Sequence, residues 1–196
     1  KKNCFFYLFI LLFAGGSLFS PPPMTFLLYP LFLLLIMHNS TIFDHPYVVP
    51  KMRKRKAWWE KRIQYLGLDI GMFLLFTNGL AVVLPLIMGK TDPHLPVAKI
   101  LLNMVLQFLG YYFLAVLFLT VRVWSGKATF GFLASYAVVA ADYICLQTAY
   151  DINLLMLHIF ILTAGRVWLS NFLYLFFLCA ASTIGGYYII RDIDIL

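Results

Sequence analysis

Charge is scarce in this chain: 12% of its 196 residues are Asp, Glu, Lys or Arg, about half the share of an ordinary soluble domain. Acid is scarcer than base, with 8 carboxylates against 15 Lys and Arg. Cysteine is limited to Cys4, Cys145 and Cys179, far apart and all in apolar runs. No CxxC and no Cys/His ligand spacing occurs, which argues against a zinc site or a redox pair and leaves three buried free thiols. No nucleophile–base pair, acid dyad or Gly-rich phosphate loop is legible, so spacing points to no enzyme, no metal and no cofactor. Internal repeats and low-complexity linkers are missing too.

Apolar residues fill that space. They make up 63% of the chain, and the mean hydropathy is +0.89. That excess is too large for one buried core. The runs have the length of membrane helices and lack the alternation of a transmembrane barrel. The sequence therefore predicts an all-α integral membrane protein, each span satisfying its own backbone.

One stretch breaks the apolar pattern. Residues 51–62 read KMRKRKAWWEKR and hold nearly half of the basic residues. Lys and Arg resist translocation, and Trp favours the headgroup layer, so this hinge is expected at one bilayer surface. Lys51, Arg53, Arg55, Trp58, Trp59, Lys61 and Arg62 are its candidates for contact with phospholipid headgroups. Because the positive charge sits beside membrane spans, it reads as an orientation signal and not as a nucleic-acid surface.

The hinge divides the chain into an N-terminal hairpin at 1–43, the surface segment at 44–65, and a bundle of four or five spans at 66–196. Spans are expected at 4–19 and 25–43, separated by Pro21, Pro22 and Pro23, then at 66–88, 97–121 and 128–149. Lys1 and Lys2 before the first run resemble the start of a signal peptide. Without a small-residue cleavage site after it, the run is read as a retained span. Residues 154–190 are too long for one ordinary span. They form either a long helix broken at Ala164-Gly165-Arg166 or two spans with a tight turn there, and Gly185-Gly186 is expected to loosen the far end. With the hinge inside, every loop obeys the positive-inside rule, and a turn at Arg166 would also lie inside, favouring seven spans and an outside C-terminus.

Polar residues within spans are few. Asp142 and Arg166 fall on neighbouring segments and could pair in the bundle, or mark an ion pathway. His158 is the one histidine deep in a span. No second histidine lies at matching depth for haem, so a hydrogen-bonded structural role is expected. Asn78, Asn103 and Gln107 suit interhelical hydrogen bonds. Asp69, close to the hinge, needs no special role.

The layout resembles cytochrome c oxidase subunit III: two helices, a surface segment with paired tryptophans, then five helices. Trp58-Trp59-Glu60-Lys61-Arg62 stands where that family has a Trp-Trp pair followed by charged residues. Gly71-Met72-Phe73-Leu74-Leu75-Phe76-Thr77 is similar to the opening of its third helix, and Leu102-Asn103 to the start of its fourth. Gln147 before Tyr150-Asp151 matches the end of its fifth, and His158, Gly165 and Leu169 have the spacing of its sixth. The family's membrane glutamate would fall near Gly79, the second histidine of its sixth-helix motif is Ile161 here, and its long connection before the last helix is compressed. The resemblance implies a non-catalytic, lipid-binding subunit beside an oxidase catalytic subunit, in the mitochondrial inner membrane, with the hinge on the matrix (or cytoplasmic) side. The residues by themselves leave two other readings open: a small transporter or channel using Asp142 and Arg166, and an endomembrane scaffold.

Overall fold

The computed structural model describes residues 24–43, 55–87, 97–147 and 166–191. Every element among them is helical. A π-helical turn, Met24–Leu28, leads into α1 (Tyr29–Phe43). There follow α2 (Arg55–Ile87), α3 (Val97–Ser125), α4 (Ala128–Gln147) and α5 (Arg166–Arg191). Four of these helices are long and apolar enough to cross a membrane, and the apolar part of α1, Thr25–Ser40, is shorter. The first expected span, and the candidates Lys51, Arg53 and His158, lie outside the described residues.

Local sequence explains the boundaries. Pro30 has no N–H to return to the carbonyl of Phe26. The helix widens into its π turn just before this proline. Between α3 and α4 the chain needs only Gly126 and Lys127, because Gly126 adopts φ 70° and closes α3 in the left-handed region that a side chain disfavours. The loop expected from Arg122 onward is thus shorter than the sequence suggested, and Arg122 remains helical.

Inter-helix contacts fix the directions. Asn39 on α1 meets Asp69 on α2, while Phe26 before α1 meets Tyr143 on α4. Asn78 on α2 bonds Gln107 on α3, while Trp59 lies against Gly186 of α5, as does Thr120 of α3. Ser135 on α4 donates to the carbonyl of Leu114, antiparallel to α3. On α5, Trp168 donates to Leu102 O, Cys179 to Leu109 O, and Thr183 meets Tyr112. These pairs advance together, so α5 runs parallel to α3. The helices alternate in direction, and α3 lies at the centre, with 56% of its span buried against 17% for α5.

Three expectations are corrected here. From Arg55 onward the hinge is not set apart from the third span: α2 runs unbroken across the expected boundary at residue 65. Because α5 is parallel to α3, Arg166 opens it at the end remote from the hinge, and Arg191 closes it at the hinge end. A turn on the hinge side at Arg166, with the C-terminus opposite, is therefore not the arrangement. Nor do Gly185 and Gly186 loosen the helix, which continues to Arg191. A Cβ at Gly186 would stand 2.6 Å from Thr120 Oγ1 and 3.0 Å from the Trp59 ring, so the glycine allows α5 to dock closely. Gly131 does the same between α4 and α3, where a Cβ would meet the Phe118 carbonyl at 2.6 Å.

The core is aromatic where α1, α2 and α3 converge. Phe32 packs on Phe73 and Tyr111 at ring-centroid distances of 5.2 and 4.7 Å, and Tyr29 packs on Tyr111 at 5.2 Å. Offset and edge-on rings fill such a junction without strain.

Candidate functional site

Two polar groups interrupt the apolar bundle, one at each end. At the hinge end, a cleft between α1 and α2 is lined by Ile36, Ser40, Arg62, Tyr65, Leu66 and Asp69. It is open at its mouth and encloses only about 10 Å³, room for a single water molecule. Arg62 and Asp69 are two helical turns apart and face the same side of α2. Arg62 is only 6% exposed, although it belongs to the basic hinge. Asp69 is partly buried, accepts a hydrogen bond from Asn39 Nδ2 at 3.0 Å, and lies within reach of the Arg62 charge. Ser40, next to Asn39, is buried and donates to Met37 O at 2.7 Å.

The remaining hinge candidates separate. Lys61 is exposed and Arg55 opens α2. Trp58 and Trp59 are buried, at 6% and 3% exposure, and Trp59 Nε1 has no hydrogen-bond partner. For Trp59 the expectation of a ring in the headgroup layer is corrected: it packs against the Gly186 surface of α5, because α2 is already helical there and turns that face inward.

At the other end, neutral amides and one carboxylate are buried together. Asn78 Nδ2 donates to Gln107 Oε1 at 2.9 Å and to Leu74 O at 3.0 Å, the interhelical bond expected from the sequence. Gln107 is fully buried, and its Nε2 has no partner; neither does the Oδ1 of Asn103, one turn earlier. Asp142 is 3% exposed and lies within electrostatic reach of Tyr29 and Tyr174. The Tyr29 hydroxyl is buried without a hydrogen bond. Arg166 begins α5 at this same end, about two helical turns before Tyr174, the residue of α5 that the Asp142 charge reaches. No group of three or more His, Cys, Asp or Glu that could hold a metal occurs among the described residues.

Asp69 is the part of the hinge-end cleft that sequence reasoning missed. Its signal was present: Arg62 and Asp69 stand seven residues apart on one helix face, and Asn39-Ser40 interrupts the apolar run facing them. Comparison with protein-family models, with curated proteins and with solved structures finds no match to this chain.

Proposed function

We propose that this chain is a non-catalytic, lipid-binding membrane subunit of a larger assembly. The assembly that the subunit III resemblance names is cytochrome c oxidase of the mitochondrial inner membrane, with the hinge on the matrix side. One observation carries the reading: a cleft between α1 and α2 at the hinge end, with the buried Arg62 in its wall. The resemblance expects phospholipid between the N-terminal hairpin and the rest, with the basic hinge at the mouth of that cleft. Lys61, exposed at the same end of α2, adds a cation that suits a phosphate group. The outer faces support membership of an assembly as well: Leu68, Met72, Leu75 and Phe76 form an exposed apolar ridge on α2, ready for lipid or for a partner helix.

Purification through a tag in gentle detergent tests it. Co-elution with haem a absorbance and large oxidase subunits is the expected result. Elution as a lone, colourless protein, under conditions that preserve the oxidase, overturns the oxidase part. Phospholipid analysis of the same sample decides the lipid-binding part separately.

A second reading, transport of a small ion, is favoured by the buried polar belt at the opposite end. An ionisable residue inside a membrane bundle often marks a pathway, and Asp142 sits there among buried amides and phenols. Flux into proteoliposomes that is lost in Asp142→Asn would favour this reading, whereas equal flux in both proteins removes it.

A further inference from the structure

The two polar groups lie on one seam, with α1 and α2 as its sides and α3 as its back. At the hinge end, Asp69 lines the cleft, and Asn39 donates to its carboxylate at 3.0 Å. Asp69 is within reach of Arg62, so the two charges there offset each other. At the far end, Asn78 Nδ2 donates both to Leu74 O and to Gln107 Oε1. Those two bonds fix the Gln107 amide: its oxygen faces Asn78, and its Nε2 is turned away, buried and without a partner. Asn103 Oδ1, one turn earlier on the same face of α3, is a buried acceptor without a partner. A buried donor and a buried acceptor one turn apart are what a bridging water satisfies. Polar groups continue inward from there. Asp142 is in electrostatic reach of Tyr29, and the Tyr29 hydroxyl, itself without a partner, is in reach of Tyr111.

Between the two groups the seam is closed by rings. Phe32, Phe73 and Tyr111 are buried and meet pairwise at centroid distances of 4.7, 5.2 and 5.4 Å. An apolar constriction of this kind stops conduction by excluding water and permits it when water enters. The helix beside it is the least constrained just there: the π turn Met24–Leu28 and Pro30 leave α1 without a regular backbone hydrogen bond directly before Phe32. Size then selects the traveller. Room for one water in the cleft is too little for a metal ion with its hydration shell. A proton needs only carboxylates, hydroxyls and waters in succession. We infer that this seam is a gated proton path: Asp142, Tyr29 and Tyr111 pass protons at the far end, Asp69 passes them at the hinge end, and Phe32, Phe73 and the Tyr111 ring are the gate. A hydroxyl takes a proton at its oxygen and releases its own, and a carboxylate gives up what it takes, so one proton crosses and no residue is changed. The inference rests on the second reading above, ion transport, and names its ion and its route.

The test uses the purified full chain in vesicles that hold a pH-sensitive dye, with a potassium gradient and valinomycin to drive proton entry. Wild type is expected to admit protons faster than protein-free vesicles do. Phe73→Ala should raise that rate by about tenfold, the change that removing one ring contact from the barrier gives. Phe73→Leu, which keeps most of the volume, should raise it less and serves if the alanine variant does not fold. In the Phe73→Leu background, Tyr29→Phe and Asp142→Asn should each return the rate to that of protein-free vesicles. Phe177→Ala, which removes an exposed ring from α5, should change nothing. A rate that folded Phe73→Ala or Phe73→Leu leaves at the wild-type value overturns the gate, and with it the inference. So does a Tyr29→Phe protein that conducts as well as its parent. Sodium entry faster than proton entry leaves ion transport standing and overturns the proton path. No entry of either ion in any of these proteins removes the second reading itself, and the path with it.

Discussion

The two ends of the bundle hold their polar groups in opposite ways. At the hinge end, full charges face a cleft that opens between two helices, and close packing is left to a glycine, a threonine and an indole ring. At the far end, amides, phenols and one carboxylate are shut inside, and three of their polar atoms, on Tyr29, Asn103 and Gln107, have no partner. Charges can be kept near a membrane surface because water or headgroups reach them. Amides can be buried deeper because the penalty for a neutral group is smaller. The difference teaches where stability and recognition reside. Shape dominates at the hinge end, and hydrogen bonding dominates at the far end.

Substitutions can break or sharpen that contrast. Gly186→Val is expected to have the largest effect, a loss of about 3 kcal/mol, because the new atoms overlap Thr120 and Trp59 and neither neighbour is free to retreat. Thermal unfolding in detergent, followed by light scattering, should show a lower midpoint and early aggregation. A midpoint equal to that of wild type would mean that α5 does not dock at Trp59. At the far end, Gln107→Ala should cost about 1–2 kcal/mol by stranding the Asn78 amide. The double-mutant cycle with Asn78→Ala should return a coupling of only about 0.6 kcal/mol, the usual size for a hydrogen bond between membrane helices. A coupling near zero would show that the two amides do not meet. Asn39→Ala, which removes the bond to Asp69, should cost about 1 kcal/mol, reduced by the partial exposure of the acceptor. Tyr29→Phe should be the smallest and of the other sign, neutral or stabilising by about 0.5 kcal/mol, since it deletes a buried hydroxyl with no partner. Clear destabilisation by that change would mean the hydroxyl is bonded in the membrane.

Much of the architecture was readable because membrane helices follow from length and hydropathy alone. The expected starts at residues 97 and 128 match the first residues of α3 and α4, each marked by a preceding Pro96 or Gly126. The hinge misled in an instructive way. Composition marks Trp58 and Trp59 as interfacial, but the helical period decides which face each takes, and that of Trp59 meets α5 from the far side of the sequence. The parallel placement of α5 was equally hidden, since a loop-charge argument presumes that Arg166 lies on the basic side. At the candidate site, Arg62 was singled out by its basic neighbours in the chain. Asp69 was not, because its meaning depends on Asn39, 30 positions earlier on another helix. The interhelical partner of Asn78 was likewise foreseen only as a type of bond.

The parallel placement of α5 bears on how the chain is made. Residues 97–147 can form a helical hairpin as they leave the ribosome, because Gly126 turns α3 directly into α4. Among the described residues, no neighbour in sequence supplies the surface that α5 needs. That surface is Leu102 to Thr120 of α3 together with Trp59, all synthesised well before it. Until residue 186 is in place, the face of the central helix and the tryptophan ring that α5 covers lack that helix. A chain that stops short of α5 therefore displays its own incompleteness, in a form that a membrane chaperone or protease can read.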